Sequence, residues 1–208
     1  MIIVYISIFL MLLYDVKIFK FKEYSLNPLS LNNSNAMKGL AAVVVVLHHI
    51  SQRIDNPGSL LLFRYVGYLS VSLFFFYSGY GLMKSYESKR NYLNGFWTNR
   101  IPKIIIPFIL SNVLFILIHI LLVGTKFSVY DIFTYILGIR LIDSYKWYII
   151  AIIVLYSGFY FLFKYYNRNK AILGIFLLIT CYSFACRLLG KGSWWYNSTY
   201  CFLIGVIF

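Results

Sequence analysis

Residues 65–83 read YVGYLSVSLFFFYSGYGLM, an uncharged run bracketed by Arg64 and Lys84. As an α-helix it is roughly 28 Å long at 1.5 Å per residue, close to the roughly 30 Å hydrocarbon core of a bilayer. Three further runs have the same form. Ile104–Val123 is uncharged but contains Pro107, Asn112 and His119, Trp147–Phe163 lies between Lys146 and Lys164, and Ala171–Cys186 lies between Lys170 and Arg187. Met1–Tyr14 is apolar and lacks the basic leader and small-residue cleavage site of a signal peptide, so it is expected to stay as a short or tilted span. The fold expected is all-α, a polytopic membrane helix bundle with about six or seven spans.

Composition agrees. Hydrophobic residues make up 61% of the 208 residues and charged residues only 12%, against roughly a quarter in a soluble domain. Tyr contributes 20 residues and Phe 19, types that suit interfaces and helix contacts in lipid. The net charge of +13 would suggest nucleic acid in a soluble protein. Here the basic residues crowd short connections, so they are read as topogenic and no nucleic-acid partner is expected. Lys17, Lys20, Lys22 and Lys38 form one group, Lys84, Lys89, Arg90, Arg100 and Lys103 a second, and Lys164, Arg168 and Lys170 a third. These connections alternate with sparser ones holding Asp55, Asp131 and Asp143, so the basic set is expected on the cytoplasmic side. Ser128–Asp143 is expected to lie at the interface as a lid rather than to span. Two units are expected, an N-terminal apolar segment with a basic cytoplasmic connection at 1–34 and a membrane domain at 35–208. Cys181, Cys186 and Cys201 show no metal or redox spacing, and no metal site is expected.

The chemistry lies in residues 37–50, MKGLAAVVVVLHHI. From Lys38 to Arg53 a helix covers only about 22 Å, short of the membrane core, so a spanning helix must absorb one of these charges. Its start is expected within SLNNSNAMK, with Ser34 or Asn35 as N-cap. Eleven residues at about 100° each bring His49 to within about 20° of Lys38 and roughly 16 Å along the axis. His48 points about 80° away on the other side of the lysine. Ala41, Ala42 and Val45 lie between, small enough to leave a groove. Ionisable residues inside a membrane are costly and tend to mark function. A desolvated imidazole stays neutral and suits a general base, so His49 is the candidate catalyst with Lys38 as its cationic companion. No G-x-S-x-G elbow, Walker loop or dinucleotide glycine pattern occurs.

In order along the chain, four stretches resemble the acyltransferase 3 family of membrane-bound enzymes that O-acylate cell-surface glycans. Lys38 and His49, ten residues between them, are similar to its Arg/Lys-x10-His signature. GYLSVSLFFFYSGYGLM resembles its Ser-Gly-aromatic helix, here Ser78, Gly79 and Tyr80. FWTNRIPKIIIPF carries Arg100 and Lys103 where the family often has Arg-x-x-Arg, and KWYIIAIIVLY puts Trp147 in the place of the family's Trp. WWYNSTYCFLIGVIF resembles a later family segment.

The resemblance implies a core of about ten helices and a transfer across the membrane. An acyl group, acetyl for preference, moves from cytoplasmic acyl-CoA (acetyl-CoA) to a hydroxyl of a glycan or lipid-linked glycan. His49 would act as base, Lys38 would orient the CoA end, and Arg100 and Lys103 would meet its phosphates. His48, Ser78, Tyr80 and Trp147 are possible supporting residues, helix packing and interface anchoring being the simpler account of Tyr80 and Trp147. Acyl-CoA enters as substrate, no cofactor is permanently bound, and the protein is expected to be multi-pass in a bacterial plasma membrane. Two alternatives stand beside this, a transporter or flippase using Lys38 and His49 as a path, and a truncated inactive remnant, suggested by the apolar run ending at Phe208. The acceptor sugar and oligomeric state are not specified by the sequence.

Overall fold

The computed structural model describes residues 2–13 and 29–208. The expectation for the basic residues Lys17, Lys20 and Lys22 falls outside the described residues. Among those described there are helices and no strands, in the order α1 (Ile2–Leu13), α2 (Leu31–Arg53), α3 (Leu61–Ser88), α4 (Phe96–Arg100), α5 (Pro102–Ile118), α6 (Val129–Ile136), α7 (Trp147–Tyr165), α8 (Arg168–Leu188) and α9 (Tyr200–Ile207). This is the expected all-α bundle.

Among the described residues four segments are long and apolar enough to cross a membrane, Gly58–Ser88, Tyr92–Val123, Ser144–Tyr165 and Arg168–Leu188. The expected count of six or seven is therefore not reached by length and apolarity alone. With 23 residues α2 is long enough, but its polar ends, LNNSN and HHISQR, dilute the apolar centre. Helices α1 and α9 are apolar but have only 12 and 8 residues.

Local chemistry sets the helix ends. The cap of α2 is Ser30, four residues before the expected Ser34, because the Ser30 hydroxyl accepts from the Asn33 N–H at 3.3 Å. Ser34 is instead buried inside the helix, its hydroxyl donating to the Leu29 carbonyl. Asn167 caps α8 by accepting from the Lys170 N–H at 3.1 Å. Pro102 opens α5, where its missing N–H costs nothing. That helix ends in a wider turn over His119–Val123, closed by Gly124 at φ 71°, a conformation glycine adopts without penalty.

Helix directions follow from the contacts. The tail of α2 meets the head of α3, with His48 Nδ1 2.9 Å from the Phe63 carbonyl and Arg64 donating to the Ser51 carbonyl, and the chain turns back between them, so α2 and α3 pack antiparallel. Phe75 packs on Tyr148 and Tyr86 on Phe163, so α3 and α7 run parallel. Gly158 faces Leu178 while Gly174 faces Leu162, which makes α7 and α8 antiparallel. Ser72 bonds to Ser198 at 3.0 Å, and Gly79 abuts Phe202, so α9 runs parallel to α3. One end of the bundle thus gathers the tails of α3 and α7 with the heads of α2, α5 and α8. The basic connections Lys84–Lys103 and Lys164–Lys170 share that end, where Arg168 pairs with Glu87 at 3.3 Å. The alternation expected from charge is a physical segregation.

The core lies between α3, α7, α8 and α9, with Phe75, Phe159, Ile175, Ile179 and Phe202 fully buried. Phe96 of α4 joins it, ringed by Phe159 and Tyr160. Outward faces stay apolar, Leu110 being 63% and Leu122 80% exposed. Apolar surface on that scale is stable only against lipid or further protein. The molecule is a membrane protein.

Candidate active site

Helix α2 passes unbroken through both Lys38 and His49. Regular helix geometry then keeps the two on one stripe, roughly 16 Å apart. Lys38 is two turns inside the helix rather than one, a consequence of the earlier cap. Along the stripe Ala41 is 2% exposed while Ala42 is open. The proposed row of small residues therefore splits into a packing position and a free one.

The two histidines have different work. His48 faces α3, its ring filling the space above Gly67, and its Nδ1 meets the Phe63 carbonyl. That contact consumes the ring's polar capacity on one side. His49 turns away and is half-buried, its Nδ1 lying 3.4 Å from the Gln52 Oε1. With Nδ1–H donating to the amide oxygen, Nε2 keeps its lone pair and bonds to no other described residue. This is the tautomer a general base needs.

A ring from another part of the chain covers His49. Tyr145 stands 3.9 Å from it, centroid to centroid, and the Arg53 guanidinium lies 5.4 Å from the centroid of the tyrosine ring. Tyr145 belongs to the single turn Ser144–Lys146 before α7, and its own N–H donates to the Asp143 carboxylate that caps the turn. The next residue, Lys146, points elsewhere. Its ammonium donates to Asn112 Oδ1 at 2.7 Å and lies 4.2 Å from the Phe115 ring centroid. Asn112, 1% exposed, donates in turn to the Tyr135 carbonyl at 2.9 Å and is thereby fixed.

Lys146 closes one end of a cavity of about 320 Å³ between α3, α5 and α7. Lys103 stands at the other end, with Ser78, Phe108, Ser111 and Tyr156 along the walls. Ser78 lies in range of both Tyr148 and Tyr156 hydroxyls. Pro107 also lines the cavity and has no N–H for the Lys103 carbonyl one turn back. An apolar slot with a cation at each end suits an amphiphilic ligand.

The structure brings Ser78 and Lys103 to one cavity but holds other sequence candidates apart from it. Arg100 donates to the Tyr92 hydroxyl at 2.8 Å and to Ser85 at 3.0 Å, which ties it to the tail of α3. Tyr80 lies in the α3–α9 contact beside Phe76 and Phe208. Trp147, 8% exposed, packs on Phe75 and Trp195 in the core. The sequence reading missed Tyr145, Lys146 and Asn112. In the sequence Lys146 is only the flank of a span, but Asn112, a lone Asn in the middle of an apolar run, signals a buried partner. Among the described residues no group of His, Cys, Asp and Glu is placed to hold a metal.

Neither the curated proteins nor the solved structures yield a match to this chain. The family model for the acyltransferase 3 acyltransferase domain matches residues 31–208. That range starts at the first residue of α2 and takes in His49, the cavity and the basic end of the bundle. The chain belongs to the acyltransferase 3 family.

Proposed function

We propose that this membrane acyltransferase moves a short acyl group, acetyl for preference, from acyl-CoA to a hydroxyl of an exported or cell-surface glycan. The observation that carries the reading is His49, a half-buried imidazole with Nδ1 engaged by Gln52 and Nε2 left as an acceptor. The acceptor hydroxyl gives its proton to Nε2 as its oxygen attacks the thioester carbonyl. Lys38, on the same stripe nearer the basic end, serves the donor. Lys103 is exposed at the mouth of the cavity and meets the donor's phosphates, while Arg100 shapes that mouth through Tyr92 and Ser85. The basic end faces the cytoplasm of a bacterial cell, by the excess of Lys and Arg there.

Purified protein in sealed vesicles tests this. Labelled acetyl-CoA supplied on the basic side should pass its acetyl group to a glycan on the other side, and an impermeant maleimide should reach Asp55→Cys only from the glycan side. Acetyl transfer with donor and acceptor both on the side of Asp55 would contradict the orientation. Solute movement without any acyl-CoA would favour a transporter.

A further inference from the structure

Lys146 forms no ion pair, and Asp143, the acid that attracts it electrostatically, gives its carboxylate to the Tyr145 N–H instead. The ion pairs among the described residues are Arg140–Asp131 and Arg168–Glu87, and Lys146 is in neither. Its contacts are an amide oxygen and the face of a phenyl ring. These leave a half-buried ammonium with little direct compensation, and ionisable residues in membrane segments tend to mark sites. The side chain does not reach out along the surface. Asn112, itself held by the Tyr135 carbonyl, keeps it at the cavity wall. An ammonium has three donors, and Asn112 takes one. The cavity therefore offers an apolar slot ending in a fixed cation with hydrogen-bond capacity to spare.

The same turn ties this cavity to His49. Tyr145 packs against the imidazole with the rings tilted by 35°, and Lys146, one residue on, lines the slot. A ligand whose reactive end reached Lys146 would lie next to the element that positions the base.

We propose that the cavity between α3, α5 and α7 receives the thioester end of the acyl donor, with Lys146 donating to the thioester carbonyl oxygen. The proposal rests on the acyl-CoA reading above and assigns the place and the residue. The bond changes balance. The acceptor's O–H proton passes to His49 Nε2, the acceptor oxygen bonds to the carbonyl carbon, and the carbonyl electron pair moves onto the oxygen facing Lys146. Collapse breaks the C–S bond, and the departing thiolate takes the proton back from the imidazolium, leaving an ester and a free thiol. A fixed donor aimed at the developing oxyanion accelerates such a step by about 10²–10³.

The experiment places a cysteine in the wall, Ser111→Cys, in full-length protein whose Cys181, Cys186 and Cys201 are changed to serine. Acetyl-CoA should slow its reaction with a membrane-permeant maleimide at least tenfold, and Lys146→Gln should remove the protection. In the otherwise native protein Lys146→Gln should lower kcat about 100-fold, and Lys146→Arg should restore part of it. Unchanged labelling with acetyl-CoA, beside a native protein that still acetylates glycan, would overturn the cavity assignment and leave the acyltransferase reading standing. Protection by acetyl-CoA in a protein that transfers no acyl group would uphold the cavity and sink the reading of function.

Discussion

At the scale of the residue, the adjacent pair His48–His49 shows how one step along a helix separates a packing role from a chemical one. His48 is held by the Phe63 carbonyl and by the close approach of α3 at Gly67, so its substitution by Ala should cost stability. Loss of a partly buried hydrogen bond and of ring packing is worth about 1–3 kcal/mol. A second residue-scale effect belongs to Asp131. The Ser128 hydroxyl and backbone N–H, with Arg140 after them, hold its carboxyl below the usual carboxylate range. A depressed folded-state value means that the anion's cap on α6 is fully present above the ordinary carboxylate range and is lost as pH falls through the lowered one. Hydrogen exchange of α6 amides should therefore be slow at pH 7 and speed up towards pH 3, beyond the general pH dependence of exchange. Asp131→Asn should abolish that difference, and a variant that kept it would place the cap elsewhere.

At the scale of the element, the contact of α3 with α9 depends on two glycines. A Cβ at Gly79 would fall on the Phe202 carbonyl oxygen, and one at Gly205 on that of Phe76. Both obstacles are backbone, which cannot swing aside, and close approach through small residues is how helices associate in lipid. Gly79→Ala or Gly205→Ala should destabilise by about 1–3 kcal/mol, read as a lower midpoint of thermal unfolding in detergent. Gly81, with nothing near its Cβ position, is the control that should tolerate Ala. The sequence made each helix of this contact visible but not the contact. Apolar runs such as 65–83 state their own length, whereas Gly79 and Gly205 are partners only once the chain has folded. The cap of α2 was missed for a related reason. Residues 30–35, SLNNSN, offer several capping side chains, and only the backbone decides that Ser30 is used.

At the scale of the whole molecule, charge and apolarity were legible and convergence was not. The basic connections could be seen alternating along the chain, and they do gather at one end of the bundle. The helical spacing of Lys38 and His49 was also readable, because it lies within one element. Tyr145 over His49, and Lys146 at Asn112, join residues separated by long stretches of chain, so no local pattern announced them. The architecture that results has a basic mouth, an apolar slot leading inward from Lys103, and an imidazole at the far end of α2 beside the turn that closes the slot. The central claim is that this imidazole is the base. It is tested most directly by glycan acetylation in vesicles containing equal amounts of the native protein, His49→Ala and His48→Ala. Loss of at least a hundredfold in kcat for His49→Ala, with His48→Ala retaining turnover at a lower unfolding temperature, is the expected result. Native turnover by His49→Ala would contradict the account.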